Sequence, residues 1–89
     1  MLSEGRCRFA NETKKYFCVN NKIYRIICPK SACWIAKDSN GDIYIYMIKP
    51  TFRDDMWCIN YEDELVGIAE GLDYAFENTK ASKSLRKLH

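Results

Sequence analysis

Few side chains in this 89-residue sequence are equipped for bond-making chemistry. A serine or cysteine nucleophile needs an oriented base, most often histidine. The one histidine is His89, at the end of a basic stretch. Gly5, Gly41, Gly67 and Gly71 stand alone, so no glycine-rich phosphate loop is present. The carboxylates Asp54, Asp55, Glu62, Asp63 and Glu64 could gather a divalent cation through oxygen ligands. A solvated acidic edge is the plainer reading, because exposed carboxylates are common. The five cysteines, Cys7, Cys18, Cys28, Cys33 and Cys58, are odd in number and lack paired C-x-x-C spacing. We therefore expect reduced thiols, no structural zinc and no cofactor. The sequence predicts a protein that binds and does not catalyse.

Binding chemistry is better represented. Trp34, Tyr44, Tyr46 and Trp57 are flanked by Lys37, Lys49 and Arg53. Exposed rings on a sheet can stack bases while cations hold phosphates. Rings alternating on a hairpin also serve as core, packed under another element. The candidate binding residues are Trp34, Tyr44, Tyr46, Lys49, Arg53 and Trp57.

Two hairpins position these groups. In residues 15–28, two runs rich in β-branched and aromatic residues flank Asn20-Asn21, a dipeptide that tolerates positive φ. That turn sets Phe17 against Tyr24 and Lys15 against Ile26, and Pro29 ends the second strand. In residues 33–48, the turn Asp38-Ser39-Asn40-Gly41 calls for a glycine in the left-handed region. Trp34, Ala36, Tyr44 and Tyr46 then share one face, and Ile35, Ile45 and Met47 the other. Both faces are apolar, and so small a domain is not expected to cover both with its own chain. We assign the aromatic face to a partner and the aliphatic face to the core. Lys49-Pro50 stops the hairpin, and a third strand is expected from Met56.

Apolar residues from Tyr61 to Phe76 recur at helical spacing, which favours a helix from near Leu65 to near Phe76. Gly67 and Gly71 weigh against it, at about 1 kcal/mol each relative to alanine, and a strand over Leu65–Ala69 is the alternative. A short helical turn is expected between Ser82 and Leu88. The predicted fold is α+β: a small twisted antiparallel sheet of about four or five strands with one C-terminal helical element.

The length suits a single domain over 1–89, with 1–12 and 80–89 loosely held. Net charge is only +2, but it falls in blocks: ten bases and four acids in 1–53, eight acids and no base in 54–79, four bases thereafter. If folding keeps these blocks apart, each face can steer an opposite partner. The first ten residues carry Glu4, Arg6 and Arg8 and no apolar run, and no membrane-length segment follows. A cytoplasmic location and no membrane partner are expected.

One resemblance extends this reading. Trp34 to Trp57 runs W-I-A-x-D-x-x-G-x-I-Y-x-Y-x-x-K-P, then six residues to the tryptophan, with Leu65-Val66-Gly67 and Ser84-Leu85-Arg86 downstream. This resembles a pattern in small proteins encoded by tailed bacteriophages and covers roughly the last two-thirds of the chain. The resemblance implies a phage origin and action in the cytoplasm of an infected bacterium. It carries no catalytic residues. It points to stoichiometric binding of a host protein, most readily a defence or regulatory factor. The alternatives are a nucleotide-signal sponge at a homo-oligomer interface and a nucleic-acid-binding accessory protein.

Overall fold

The computed structural model describes residues 3–7 and 13–89. Among the described residues nine strands follow one another: β1 (Ser3–Cys7), β2 (Thr13–Val19), β3 (Lys22–Cys28), β4 (Trp34–Lys37), β5 (Ile43–Tyr46), β6 (Thr51–Arg53), β7 (Met56–Cys58), β8 (Leu65–Glu70) and β9 (Arg86–Lys87). Short 3-10 turns at Glu62–Glu64, Asp73–Phe76 and Ala81–Lys83 are the helical elements among the described residues. None is long and apolar enough to cross a membrane.

The two expected hairpins form in the expected registers. Phe17 pairs with Tyr24 and Lys15 with Ile26, while Trp34 pairs with Tyr46 and Ala36 with Tyr44. Asn20 and Asn21 take φ of 51° and 66°, the two consecutive left-handed residues of a turn whose twist matches the strands. Gly41 takes φ of 95°. Asp54 and Asp55 repeat the two-residue device at 53° and 64°, joining β6 to β7.

The main sheet has seven strands in the order β2-β3-β1-β8-β5-β4-β9, more than the four or five expected. Most pairs are antiparallel, and β1 beside β3 is parallel. The two ends of this order meet. Just beyond β9, His89 and Tyr16 exchange both backbone N–H···O bonds, each 2.8 Å. That reciprocal pair is one rung of an antiparallel ladder, and it closes the sheet into a small barrel. Closure removes the exposed edges that open sheets must otherwise protect.

Side chains fill the barrel. Phe17, Val19, Ile26, Ile35, Ile43 and Ile45 are buried from the strands, and Leu72, Ala75 and Phe76 enter from the 3-10 turn after β8. Phe76 stacks on Phe17 at 5.7 Å between ring centroids, and Lys37 Nζ donates to the Phe76 carbonyl at 2.7 Å. This turn plugs one end of the barrel.

Two expectations are corrected here. The helix from Leu65 to Phe76 is a strand followed by a 3-10 turn. Gly67 and Ala69 are buried with the less buried Ile68 between them, a period of two. Backbone pairing to β5 and β1 on either side satisfies β8 better than a helix bearing two glycines would. Val66 is the extra residue of a bulge, since Ile45 pairs with Gly67 and Tyr46 with Leu65.

The second correction concerns the tail. Residues 80–89, expected to be loosely held, contain a 3-10 turn and β9, and Ser84 and Leu88 are buried. The short helical turn expected between Ser82 and Leu88 is instead Ala81–Lys83, followed by strand. Of the first twelve residues, 3–7 form β1 and Gly5 is buried against Leu72. The rest of that expectation lies outside the described residues.

Candidate functional site

The outer face of the β4–β5 hairpin, the face expected to meet a partner, is covered in large part by the chain's own β6–β7 hairpin. Phe52 and Trp57 pair across that hairpin, their rings edge to face at 5.0 Å. The Trp57 indole N–H is shared between the Lys37 and Ala81 carbonyls, both at 3.1 Å, and its amide donates to Asp38 Oδ1 at 3.1 Å. Ser39 Oγ donates to the Asp55 carbonyl. Ser84 Oγ accepts from the Lys37 amide at 2.8 Å and donates to the Ala81 carbonyl at 2.7 Å. The two hairpins and the Ala81–Lys83 turn are thereby tied together.

Tyr46 lies beneath this cover, 3% exposed. Burial pushes its hydroxyl above the ordinary tyrosine value, with Asp38, Tyr44 and Cys58 adding to the effect. Ala36 is buried too. The expectation that the chain would leave one face of residues 33–48 free is therefore corrected for Ala36 and Tyr46. Barrel closure buries Ile35 and Ile45, and the return of residues 50–58 buries the opposite side. Met47, read as core, is exposed.

The six sequence-predicted residues thus part company. Tyr46 is core, and Trp57 is a half-buried structural clamp. Tyr44 and Trp34 are half-buried, and Lys49 Nζ sits over the Trp34 ring at 5.3 Å from its centroid. Lys49 and Arg53 are exposed and line one small cleft.

What remains open is a patch where β5 leaves the sheet and β8 enters it. Met47 is 37% exposed, Ile48 53%, Tyr61 70% and Leu65 38%. Met47 donates its amide to the Glu64 carbonyl at 2.7 Å and Tyr46 pairs with Leu65, which brings Met47 and Leu65 together; Ile48 follows Met47, and the Tyr61 carbonyl accepts the Glu64 amide at 3.0 Å. Sequence reasoning missed the patch because Met47 continues the aliphatic alternation of the strand. The available signal was Met47-Ile48 itself, two consecutive apolar residues directly before Lys49-Pro50.

The carboxylates do not converge. Asp54 and Asp55 make the β6–β7 turn, and Glu64 Oε1 accepts the Asn60 amide at 3.1 Å. Among the described residues no group of three or more histidine, cysteine or carboxylate side chains could hold a metal ion. Cys18, Cys33 and Cys58 are free thiols. A second, larger cleft of about 660 Å³ lies at the far hairpin, between Ile23, Tyr24 and Tyr74, with Asn20, Lys22 and Asn78 at its rim. Comparison of this chain with protein-family models, curated proteins and solved structures found no match.

Proposed function

We propose that this domain is a non-catalytic binding module that acts by occluding a protein partner in a one-to-one complex. The exposed Met47, Ile48, Tyr61 and Leu65 patch, with Lys49 and the half-buried Trp34 beside it, carries the reading. A protein interface combines an apolar centre with a charged rim, and aromatic side chains anchor it. The resemblance to small phage proteins supplies the setting: the partner is a host defence or regulatory factor met in the bacterial cytoplasm. For a nucleic-acid partner, Tyr46 and Trp57 would not serve as stacking platforms, because Tyr46 is buried and Trp57 is engaged by two carbonyls.

The test is quantitative co-purification from bacterial lysate with the wild type and with Met47→Asp combined with Ile48→Asp. Both positions are exposed, so the variant is expected to keep its fold. The wild type is expected to retain one host protein in equimolar amount, and the double variant to lose it. Equal retention by the variant would remove the patch from the reading.

The larger cleft favours a second reading, a nucleotide sponge. Its volume of about 660 Å³ falls in the small-ligand range, and Tyr24 and Tyr74 are among its lining residues. A sponge would release a nucleotide on heat denaturation, detectable by its ultraviolet absorbance after filtration.

A further inference from the structure

One cleft gathers three donors. Thr51 and Arg53 stand two residues apart on β6, so their side chains leave the same side of the strand, and Lys49 joins them from the segment before it. The intervening Phe52 turns the other way, onto Trp57. All three line a cleft of about 120 Å³, whose far wall carries Asn60 and Glu64. Neither the Thr51 hydroxyl nor the Arg53 guanidinium has a hydrogen-bond partner among the described residues, and Lys49 Nζ rests only on the Trp34 ring. Glu64 is already committed through Oε1 to the Asn60 amide.

We propose that this cleft is an oxyanion site, taking a single carboxylate or phosphate group. A guanidinium offers paired N–H donors matched to two oxygens of such a group, an ammonium adds charge, and a hydroxyl adds a neutral hydrogen bond. The cleft has room for one group, and Glu64 opposite the two cations disfavours a polyanion. Exposed apolar residues adjoin it in sequence and register: Ile48 precedes Lys49 and Met56 pairs with Arg53, and both are about half exposed. The occupant is therefore an acidic group borne on a surface that also buries apolar side chains. This deepens the binding-module reading and rests on it for the natural source of the anion. The partner would insert one acidic side chain beside the apolar contact.

The test uses the full chain, uniformly labelled with nitrogen-15, and inorganic phosphate or acetate as the probe at constant ionic strength. Saturable shifts are expected at the Thr51, Arg53 and Asn60 amides. Tighter binding of phosphate would mark a dianion as the fitted ligand, and binding of acetate at least as tight would mark a carboxylate. Arg53→Gln and Lys49→Gln, both at exposed positions, should each weaken binding about tenfold, the loss expected for a charge-assisted contact. Lys22→Gln, in the other cleft, should leave it unchanged. The absence of saturable shifts, or shifts unaltered in Arg53→Gln, would overturn the site. Partner retention without any anion shift would sink the cleft and spare the module. Anion binding without a retained partner would do the opposite.

Discussion

At the scale of single residues, Tyr46 shows how far burial can reassign a side chain. In sequence it belongs with Tyr44 as a candidate contact, yet it is nearly inaccessible and Tyr44 is not. Removing a buried aromatic ring loses its transfer free energy and leaves a cavity. Tyr46→Ala is therefore expected to cost about 3–5 kcal/mol in urea unfolding, and Tyr44→Ala clearly less. Comparable losses for the two would mean that the β6–β7 hairpin does not cover Tyr46. The Tyr46 hydroxyl supplies a second test. Burial raises its folded-state value above the 10.0 of a free tyrosine, so the folded protein holds this proton more tightly than the unfolded chain. Below that pH both states are protonated and the group is silent. As pH climbs past about 10, the unfolded state ionises first and stability falls. Melting temperatures of wild type and Tyr46→Phe should therefore diverge above pH 10, with the wild type declining more steeply.

At the scale of elements, the turns were the most legible part of the sequence and the cover the least. Asn20-Asn21 and Asp38–Gly41 announce their geometry through residues that tolerate positive φ, and once a two-residue turn is placed, strand register follows without further information. Gly41→Val is expected to cost more than about 1 kcal/mol through backbone strain alone, because open space surrounds the position where a Cβ would sit. An unchanged melting temperature would contradict the positive φ. The Asp54-Asp55 turn was missed because two adjacent carboxylates suggest charge chemistry before they suggest a hairpin. Both occupy the left-handed region, which glycine enters at less cost than an L-residue. Asp55→Gly should accordingly stabilise the domain by about 0.5–1 kcal/mol, leaving intact the Asp55 carbonyl that accepts from Ser39. Destabilisation instead would show that the aspartate side chain is needed there. The helix expected after Leu65 failed for a different reason. Local spacing read Leu72, Ala75 and Phe76 correctly as one buried set, but it could not register that β5 and β1 both lacked a neighbour. In the candidate site, Lys49 and Arg53 were legible as cations near aromatics, whereas their convergence with Thr51 depended on the unforeseen β6.

At the scale of the whole molecule, the property absent from any local window is closure. The two ends of the strand order are distant in sequence, β2 near the start and residues 86–89 at the other end, and only the finished fold brings them together. The join is narrow: β9 has two residues on β4, Leu88 donates to the Cys33 carbonyl at 2.8 Å, and His89 pairs with Tyr16. Arg86 Nε reinforces it from the side, donating to the Cys18 carbonyl at 2.9 Å. What the join encloses is large by comparison, since Leu88 is 5% exposed and caps the same core as Phe17 and Phe76. Loss of the seam would uncover two strand edges and the interior together. Leu88→Ala is therefore expected to cost about 2–5 kcal/mol, the range for a buried leucine. Hydrogen exchange then separates closure from simple packing. If the barrel is closed in solution, the Tyr16 and Leu88 amides exchange slowly in the wild type, as buried ladder amides do. In Leu88→Ala they should exchange markedly faster, while the Phe17–Tyr24 ladder keeps most of its protection. Fast exchange at Tyr16 in the wild type would mean that the sheet is open between β9 and β2. The two edges would then themselves be surfaces on which another strand could add.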